Sequence, residues 1–352
     1  MPRGRVRPPR GSAVQSVHAG LVGERKLIGT PYLATPSLRE EYAREIAPRT
    51  EAALARILDE IYGPRGTGAD SVVPPPAAVS PLRIAPPPSR AIDLGAGTGA
   101  VGRTLRARFG AALPVVEVDL VSGPDTVRAD LAAELPAVDG QRFDLIVAAH
   151  LLNELYVDRP PAERVDLRAR RVLAWAGALL SRRGRLIVLE PALRQTSREL
   201  LAVRDQVLAA GLRVVAPCFW SGPCPALVRE RDWCHDAAPI RHGARVDYAH
   251  LVLRARDPDG ADDRLTSGPD DETLFRIVSD PMVEKGRLRL FGCGSAGRHP
   301  LVRLDRHRSP SNAPFDTLHR GAITRIAPTQ LLGDGLRIGT ETTVAGPLGL
   351  PD

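Results

Sequence analysis

The sequence predicts a mixed α/β fold with a Rossmann-like sheet of parallel strands, and two patterns support this prediction. Short β-branched runs alternate with helical patterns between residues 91 and 190, as expected when helices connect parallel strands that are buried on both faces. A glycine-rich segment, Asp93-Leu-Gly-Ala-Gly-Thr-Gly99, lies directly between a predicted strand and a predicted helix. The chain has 352 residues, which is enough for one large α/β domain with smaller additions.

Composition along the chain divides it into five regions. They are a flexible basic arm (1–30), a helical segment with a Pro-rich linker (31–88), the α/β domain (89–256) with a cysteine-rich loop (216–242), an acidic loop (257–272) and a small β-rich basic module (273–352). In the second region, a helical pattern begins at Pro36, and Pro48 should divide or kink it. The module shows no pattern of a long helix.

The predicted strands and helices of the α/β domain alternate in order. Its strands are Ala91–Leu94, Pro114–Asp119, Phe143–Ala148 and Arg185–Glu190, its helices lie around Val101–Phe109 and Val165–Leu180, and two later strands, Leu212–Ala216 and Tyr248–Ala255, extend the same sheet. In the module, short strands are expected at Arg287–Phe291 and Pro300–Leu304.

The net charge of +7 indicates a polyanionic partner, although nearly all of the positive charge is arginine, which a GC-rich genome also produces. No stretch is long and apolar enough to cross a membrane, and the N-terminus lacks the apolar segment of a secretory signal. The four cysteines are too few for a secreted disulfide scaffold. A reducing compartment is expected, either the bacterial cytoplasm or, in a eukaryote, the mitochondrial matrix.

The glycine-rich segment predicts a nucleotide-type ligand held against bare backbone at Gly95, Gly97 and Gly99. A dinucleotide is one possibility, because Gly97 to Gly102 also fits the dinucleotide pattern. Asp93 favours S-adenosylmethionine instead, since a carboxylate at this strand end would repel a pyrophosphate and attract a sulfonium.

Two further carboxylates are predicted to bind the same ligand. Asp119 ends the second strand, at about the distance from the glycines where an acidic side chain meets ribose hydroxyls. Asp130 follows the next short run, where it could accept a hydrogen bond from an adenine amino group.

The predicted strand Phe143–Ala148 ends at a segment with polar side chains, at the rim where such folds place their chemistry. His150, Asn153 and Glu154 are candidates for the substrate side, and capping of the following turn is an equally good interpretation. The segment lacks the Asn-Pro-Pro-aromatic pattern of amino-group methyltransferases and the cysteine nucleophile used on pyrimidine C5. The residues alone identify no catalytic group.

All four cysteines fall at irregular spacing in the second half of the chain. Cys218, Cys224 and Cys234 lie close together in a segment rich in proline, glycine and tryptophan, and Cys293 follows much later. The segment lacks the paired short-spaced knuckles of a structural zinc site, whereas a [4Fe–4S] cluster also takes four thiolates. Spacing alone leaves zinc and iron–sulfur open.

A set of short motifs resembles the small-ribosomal-subunit methyltransferase-like family, known from a mitoribosome assembly factor and its bacterial relatives. The motifs are Tyr32-Leu-Ala34, Asp93-Leu-Gly-Ala-Gly-Thr-Gly99, Leu151-Leu-Asn-Glu-Leu155, Leu189-Glu-Pro191, Ala216-Pro-Cys218, Cys224-Pro225 and Asp232-Trp-Cys-His235. The resemblance runs from about Tyr32 to Cys293. It implies a [4Fe–4S] cluster on Cys218, Cys224, Cys234 and Cys293, S-adenosylmethionine at the glycine loop, and the small ribosomal subunit with its RNA as the partner. The basic module is consistent with this partner, and its arginines are expected to bind RNA phosphates, Arg303, Arg306 and Arg308 above all; the set is Arg287, Arg289, Arg298, Arg303, Arg306 and Arg308.

Three functional hypotheses remain after this resemblance. The first is an S-adenosylmethionine-dependent RNA methyltransferase or assembly factor of the small ribosomal subunit. The second is a non-catalytic RNA-binding scaffold that keeps the ligand fold and the cluster for stability. The third is a nicotinamide-dependent oxidoreductase, which Asp93 disfavours.

Overall fold

The computed structural model describes residues 17–64, 85–121, 125–240, 244–256 and 271–347. The beginning of the predicted arm, most of the Pro-rich linker and nearly all of the acidic loop lie outside these residues.

The N-terminal segment packs on the main domain from Val17 onwards. A short π-helical turn (Ala19–Gly23) and a 3-10 turn (Tyr32–Ala34) precede helices α1 (Pro36–Glu45) and α2 (Ala47–Tyr62). Val17 is fully buried and Leu21 almost so, which corrects the prediction of a flexible arm for residues 17–30. The predicted division near Pro48 is present, since α1 ends at Glu45 and α2 begins at Ala47. Pro48 lies in the first turn of α2, where its missing N–H costs no helical hydrogen bond.

The main sheet follows the predicted alternation. Its elements are β1 (Ala91–Leu94), α3 (Ala100–Phe109), β2 (Val115–Asp119), β3 (Thr126–Arg128), β4 (Phe143–Ala149), α4 (Pro161–Leu179), β5 (Leu180–Pro191), α5 (Arg194–Ala209), β6 (Arg213–Ala216), β7 (Asp236–Pro239) and β8 (Arg245–Arg254). The strand order is β3-β2-β1-β4-β5-β8-β6. The first five strands are parallel, and β8 inserts antiparallel between β5 and β6.

The position of β8 determines where the cysteine-rich loop lies. β6 pairs with the C-terminal half of β8 and β7 pairs with its N-terminal half, so both strands occupy the same edge. The chain between them, from Pro217 to His235, therefore leaves and rejoins the sheet near the middle of that edge, between the positions opposite Val252 and Tyr248.

Helices cover both faces of the main sheet. On one face, α4 and α5 bury a cluster that includes Trp175, Val172 and Leu200. On the other face, α2 and α3 bury a second cluster that includes Leu54, Ile57 and Leu105. Both clusters contact the sheet, and burial on two faces explains the continuous apolar strands in the sequence.

A second sheet occupies the C-terminal region. Its strands are β9 (Leu274–Ile277), β10 (Met282–Glu284), β11 (Arg287–Gly294), β12 (Gly297–Leu304), β13 (Ile323–Ala327), β14 (Gln330–Leu332), β15 (Gly335–Ile338) and β16 (Thr343–Val344), and their order is β14-β15-β12-β11-β9-β13-β16, with β10 on β11. Within 271–347, the helical turns are short and of 3-10 type (Asp305–His307 and Pro310–Asp316). The sheet has its own core around Phe275, Leu290 and Phe315.

None of the helices in the described ranges combines the length and the apolarity that crossing a bilayer requires.

The core of the α4 and α5 face gives a test of the fold. Trp175 is fully buried, and its indole N–H has no hydrogen-bond partner among the described residues. We expect Trp175→Phe to change the free energy of unfolding by less than about 1.5 kcal/mol, because the lost contacts are offset by removal of an unpaired donor. Trp175→Ala should cost about 3–5 kcal/mol. Urea denaturation measures both, and equal losses would contradict this account of the core.

Candidate functional site

The loop after β1 bends around the end of β2. Gly95, Gly97 and Gly99 have φ values of 81°, 53° and 76°, a left-handed region that L side chains rarely adopt. The backbone N–H of Gly95 donates to the carbonyl oxygen of Val118 at 2.8 Å. A Cβ atom at Gly97 would lie 3.2 Å from the Leu33 side chain. The loop therefore needs glycine for its conformation and, at Gly97, for space.

Asp119 holds this loop in place. Its carboxylate accepts hydrogen bonds from the backbone N–H groups of Gly97 at 2.8 Å and Val121 at 3.0 Å. Asp130 is similarly tied to the backbone N–H of Ala132 at 3.0 Å. Both side chains line the cavity beside the glycine loop, so the structure brings together two of the predicted ligand-binding carboxylates.

Asp93 occupies a different position. It is fully buried beneath the loop and does not line the cavity. Burial, together with the charges of Glu117 and Asp119, raises the pKa of Asp93 well above its ordinary value. Neither carboxylate oxygen reaches hydrogen-bond geometry with a described residue, although the backbone N–H of Gly102 faces it. Contact between Asp93 and a ligand remains a prediction.

The cavity beside the loop has a volume of about 400 Å³, within the range of small-molecule and cofactor sites. The glycine loop forms one wall, and the N-terminal segment forms the opposite wall with Tyr32, Leu33 and Tyr42. Four carboxylate residues line it, and no Lys or Arg is among its described lining residues. These carboxylates are Asp119, Asp130, Glu154 and Asp158.

A buried acidic network lies at the carboxyl ends of β4 and β5. Tyr32 donates a hydrogen bond to Glu154 at 3.1 Å, and burial raises the pKa of Glu154 to about 8. Burial also raises the pKa of Glu190 to about 7. The backbone N–H of Asn153 donates to Glu190 at 3.1 Å, and the guanidinium of Arg25 donates to the Asn153 side chain at 3.2 Å.

His150 lies beside this network and also lines the cavity. It has a positive φ of 57°, which turns the chain away from β4. Burial lowers the pKa of His150 to about 4, so the ring is neutral at physiological pH. The structure thus gathers the predicted substrate-side residues His150, Asn153 and Glu154 in one place. The Asn153 side chain caps the turn by donating to the carbonyl oxygen of His150 at 2.9 Å, which confirms the capping interpretation, and a role of Asn153 on the substrate side stays a prediction.

Two residues of this site, Arg25 and Glu190, are not predicted from the sequence. Arg25 lies in the segment expected to be a flexible arm, and Glu190 lies in a predicted strand and a family motif without a predicted role. The signal for Glu190 was present, because it is the one charged residue between the apolar residues of β5 and Pro191. Nothing local marked Arg25, since its partner Asn153 lies far away in sequence.

The four cysteines line a second cavity, although three parts of the chain supply them. Cys218 and Cys224 lie in the loop after β6, Cys234 lies just before β7, and Cys293 lies in β11. All four are free thiols. Burial and the charge of Cys218 raise the pKa of Cys224 to about 11 and that of Cys234 to about 12. This mutual influence is typical of thiols that lie close together.

Arg276 of β9 brings three of these segments together. Its Nε donates to the carbonyl oxygen of Pro217 at 2.7 Å, next to Cys218. One terminal nitrogen pairs with Asp236 at 3.2 Å, and the other pairs with Glu60 of α2. Arg276 also lies directly opposite Cys293 in the β9–β11 pair. One buried guanidinium therefore positions the chain around Cys218, Cys234 and Cys293.

A second arginine, Arg204 of α5, positions the loop that contains Cys224. Arg204 donates to the carbonyl oxygens of Gly222 at 2.9 Å and of Trp220. It also pairs with Asp205, whose carboxylate accepts the backbone N–H of Cys224 at 2.8 Å. The charges of Cys218 and Cys224 act to raise the pKa of Arg204, so a positive charge faces the thiols.

The thiol cavity lacks a preformed site for a single ion. Within the described ranges, no three or more His, Cys, Asp and Glu side chains are arranged to hold a metal ion. A zinc ion would need its sulfur ligands at about 2.3 Å from the metal. The predicted metal site is thus observed only as four thiols around one cavity, which shows neither a zinc ion nor an iron–sulfur cluster.

The arginines predicted to bind RNA differ in their availability. Arg303 is 3% exposed and pairs with Asp316, so its prediction as a nucleic-acid contact is wrong for this conformation. Arg287 and Arg289 both pair with Glu284. Arg298 pairs with Asp232 and lies over the Phe291 ring, Arg308 is exposed while paired with Asp316, and exposed Arg306 contacts its neighbour His307.

A family model described as mitochondrial small ribosomal subunit Rsm22 matches residues 87–307 of the chain. The match covers more than half of the sequence and includes the glycine loop and all four cysteines. No curated protein matches the chain.

Several solved structures are similar to the chain at low sequence identity. A TehB-like S-adenosylmethionine-dependent methyltransferase from Corynebacterium glutamicum has 16% identity and a TM-score of 0.33, over 63% of this chain and 100% of that chain. Fibrillarin from Aeropyrum pernix, with bound S-adenosylmethionine, has 13% identity and a TM-score of 0.29, over 59% and 75%. An O-methyltransferase from Thermotoga maritima has 14% identity and a TM-score of 0.28, over 62% and 71%. Scores this low say nothing about activity.

The raised pKa of Glu154 predicts a pH-dependent stability. The folded chain holds the Glu154 proton up to about pH 8, and the unfolded chain holds it only up to about pH 4.5. The contribution of Glu154 to the free energy of unfolding is therefore fully present below about pH 4.5. It is lost as the pH rises from about 4.5 to about 8, by up to about 1.4 kcal/mol per pH unit. Glu154→Gln keeps an acceptor for Tyr32 and cannot titrate, so its advantage over the wild type should grow with pH and level off above about 8.

Urea denaturation at several pH values between about 5 and about 9 measures this difference. Glu284→Gln is the matched control, because Glu284 is exposed and its pKa is lowered by hydrogen bonding to Arg287. Parallel pH profiles for the wild type and Glu154→Gln would contradict the burial of an uncharged Glu154.

Proposed function

The chain belongs to the mitochondrial small ribosomal subunit Rsm22 family, and we propose that it is an S-adenosylmethionine-dependent methyltransferase that acts on the RNA of the small ribosomal subunit. In a eukaryotic cell this task would place it in the mitochondrial matrix, and in a bacterium in the cytoplasm. Family membership supports the link to the subunit, and the cavity beside the glycine loop supports the ligand.

The charge of that cavity is the observation on which the proposal rests. Asp119 and Asp130 line it, and no Lys or Arg is among the described lining residues. Such a surface repels the pyrophosphate of a dinucleotide and favours a ligand with a cationic ammonium and sulfonium. The nicotinamide hypothesis is therefore disfavoured by the whole cavity and not only by Asp93.

Within the cavity, the backbone of the glycine loop from Gly95 to Gly99 would lie against the ligand. Asp119 and Asp130 each accept hydrogen bonds from backbone N–H groups. Their remaining lone pairs can accept from ribose hydroxyls and from an adenine amino group. The chain's contribution to methyl transfer is to align the acceptor with the sulfonium methyl and to exclude water. Tyr32 and Tyr42, on the opposite wall, suit the second task.

We further propose that Cys218, Cys224, Cys234 and Cys293 hold a [4Fe–4S] cluster. Four thiols around one cavity and the positively charged Arg204 beside them support this proposal. When bound, the cluster would supply four iron–thiolate bonds that fasten β11 to the loop between β6 and β7.

The RNA surface is assigned to the exposed arginines of the C-terminal sheet. Arg306 and Arg308 are exposed, whereas Arg303 is occupied internally by Asp316. Arginines on one surface bind phosphates through charge and release counterions, which makes the affinity depend on salt.

The decisive experiment measures methyl transfer from labelled S-adenosylmethionine to small-subunit RNA, with protein purified without oxygen. We expect label in the RNA, and we expect Gly97→Val to abolish both transfer and S-adenosylmethionine binding measured by calorimetry. A branched side chain at Gly97 would meet Leu33 and fill the ligand's space. Gly110→Val is the matched control, because Gly110 also has a positive φ but ends α3 with no atom within 4 Å of its Cβ position.

Three results would count against this assignment. Unchanged affinity in Gly97→Val would remove the glycine loop from the ligand site. Preferential binding of a nicotinamide dinucleotide would support an oxidoreductase. Tight RNA binding with no label transferred would support a non-catalytic scaffold.

The cluster proposal predicts a brown protein with about four irons per chain when it is purified anaerobically. Cys293→Ser should lose the colour and most of the iron, because a hydroxyl is a poor ligand for iron in place of a soft thiolate. The same change should make the C-terminal sheet easier to remove by protease, since metal binding and folding are linked.

Ser295→Ala, two residues away in the β11–β12 turn, is the control and should keep its iron. A colourless protein with one equivalent of zinc would overturn the iron–sulfur assignment. A Cys293→Ser protein that stays brown would remove Cys293 from the ligand set.

A further inference from the structure

A third cavity lies behind the ligand cavity and has no assigned role. Its volume is about 250 Å³, and it shares four lining residues with the ligand cavity. These shared residues are Tyr32, Tyr42, His150 and Glu154. Its other walls come from the N-terminal segment and from the ends of β5 and β8. A molecule in this cavity would therefore meet a molecule in the ligand cavity across His150 and Glu154.

His150 lines both cavities and has a ring nitrogen, Nδ1, that is buried in this conformation. The Thr50 hydroxyl lies 3.3 Å from the carbonyl oxygen of Ile46 and 3.1 Å from His150 Nε2. When Thr50 donates to Ile46, its oxygen accepts from Nε2, and the proton of the neutral ring is then on Nε2. Nδ1 then holds a lone pair, is buried, and has no hydrogen-bond partner among the described residues. A buried acceptor without a partner is rare in native proteins and needs an explanation.

On the basis of the proposed function, we infer that this third cavity is the acceptor pocket, that it takes an unpaired adenine or cytosine of RNA, and that His150 Nδ1 receives the proton released from the methylated amino group. Arg49 and Arg245 line this cavity and are exposed, so both guanidinium groups could hold phosphates beside an extruded base. Arg245 would do so by leaving its present partners Asp247 and Asp280.

The proton balance favours an amino group as the acceptor. The exocyclic nitrogen attacks the methyl carbon as a neutral lone pair, the carbon–sulfur bond breaks, and the sulfonium leaves as a neutral thioether. The nitrogen then has a positive charge and loses one proton to His150. Burial lowers the pKa of His150 to about 4, so it is too weak a base for a ribose hydroxyl or a uracil imide, which must lose the proton before attack.

A different base chemistry is excluded by the position of the cysteines. Methylation at pyrimidine C5 uses a cysteine nucleophile, and all four cysteines of the chain line the thiol cavity and neither of the other two. Glu154 complements His150, because its carboxyl group is mostly protonated at neutral pH and can donate to the ring nitrogen beside the amino group.

Two substitutions of His150 separate binding from proton transfer. His150→Asn keeps an acceptor near the position of Nδ1 but cannot take a proton, whereas His150→Leu removes both functions. We expect His150→Asn to lower the single-turnover rate of RNA methylation by about 100-fold or more. Its affinity for S-adenosylhomocysteine should stay within about threefold of the wild type, and His299→Asn, in the C-terminal sheet, should match the wild type.

Calorimetry with adenosine and cytidine monophosphates tests the pocket without any turnover. With S-adenosylhomocysteine bound, both nucleotides should bind more tightly than ribose 5-phosphate, and His150→Leu should weaken them by about tenfold, the value of one hydrogen bond. If the wild type binds the nucleotides more tightly than ribose 5-phosphate but transfers no methyl group, the proposed methyltransferase activity is contradicted while the base pocket is supported.

The inference is overturned if both nucleotides bind no better than ribose 5-phosphate. It is also overturned if His150→Asn methylates RNA at the wild-type rate, or if nuclease digestion of the labelled RNA finds the methyl group on ribose, uracil or guanine.

Discussion

Arg276 is buried where three parts of the molecule meet, and its contacts connect the C-terminal sheet with α2 and with the edge of the main sheet. It pairs with Glu60 of α2 and Asp236 of β7 while it belongs to the C-terminal sheet. Burial raises the pKa of Glu60, and the guanidinium opposes that effect. Removing one partner from such a buried group leaves an uncompensated charge, which typically costs about 3–5 kcal/mol. The two sheets and the N-terminal helices are therefore held in one arrangement by a few charged atoms.

Neutral acids are the second physical theme of the molecule. Asp93, Glu154 and Glu190 all lie at the carboxyl ends of the parallel strands, and burial raises the pKa of each. The N-terminal segment produces much of this burial, because Tyr32 and Arg25 cover the strand ends. A segment that looks like an addition in sequence thus creates the electrostatic character of the pocket.

Much of the α/β domain could be predicted because its signals are local. Alternating strands and helices, and glycines at a strand–helix junction, depend on residues close in sequence. The antiparallel insertion of β8 between β5 and β6 could not be predicted, since strand order depends on contacts between distant segments. For the same reason, Arg303 was expected on an RNA surface although Asp316 and Asn312 hold it inside the module. The gathering of four cysteines was expected from a resemblance, whereas the arginines that position them were not.

Helix α2 has contacts at both ends that belong to different cavities. Thr50, near its beginning, bonds the ring of His150, and Glu60, near its end, bonds Arg276 beside the thiols. The two residues are separated by about 15 Å along one rigid helix. A shift of α2 that loosens one of these contacts also displaces the other. Any influence that α2 transmits between the two cavities must be reciprocal, because binding free energies are linked thermodynamically.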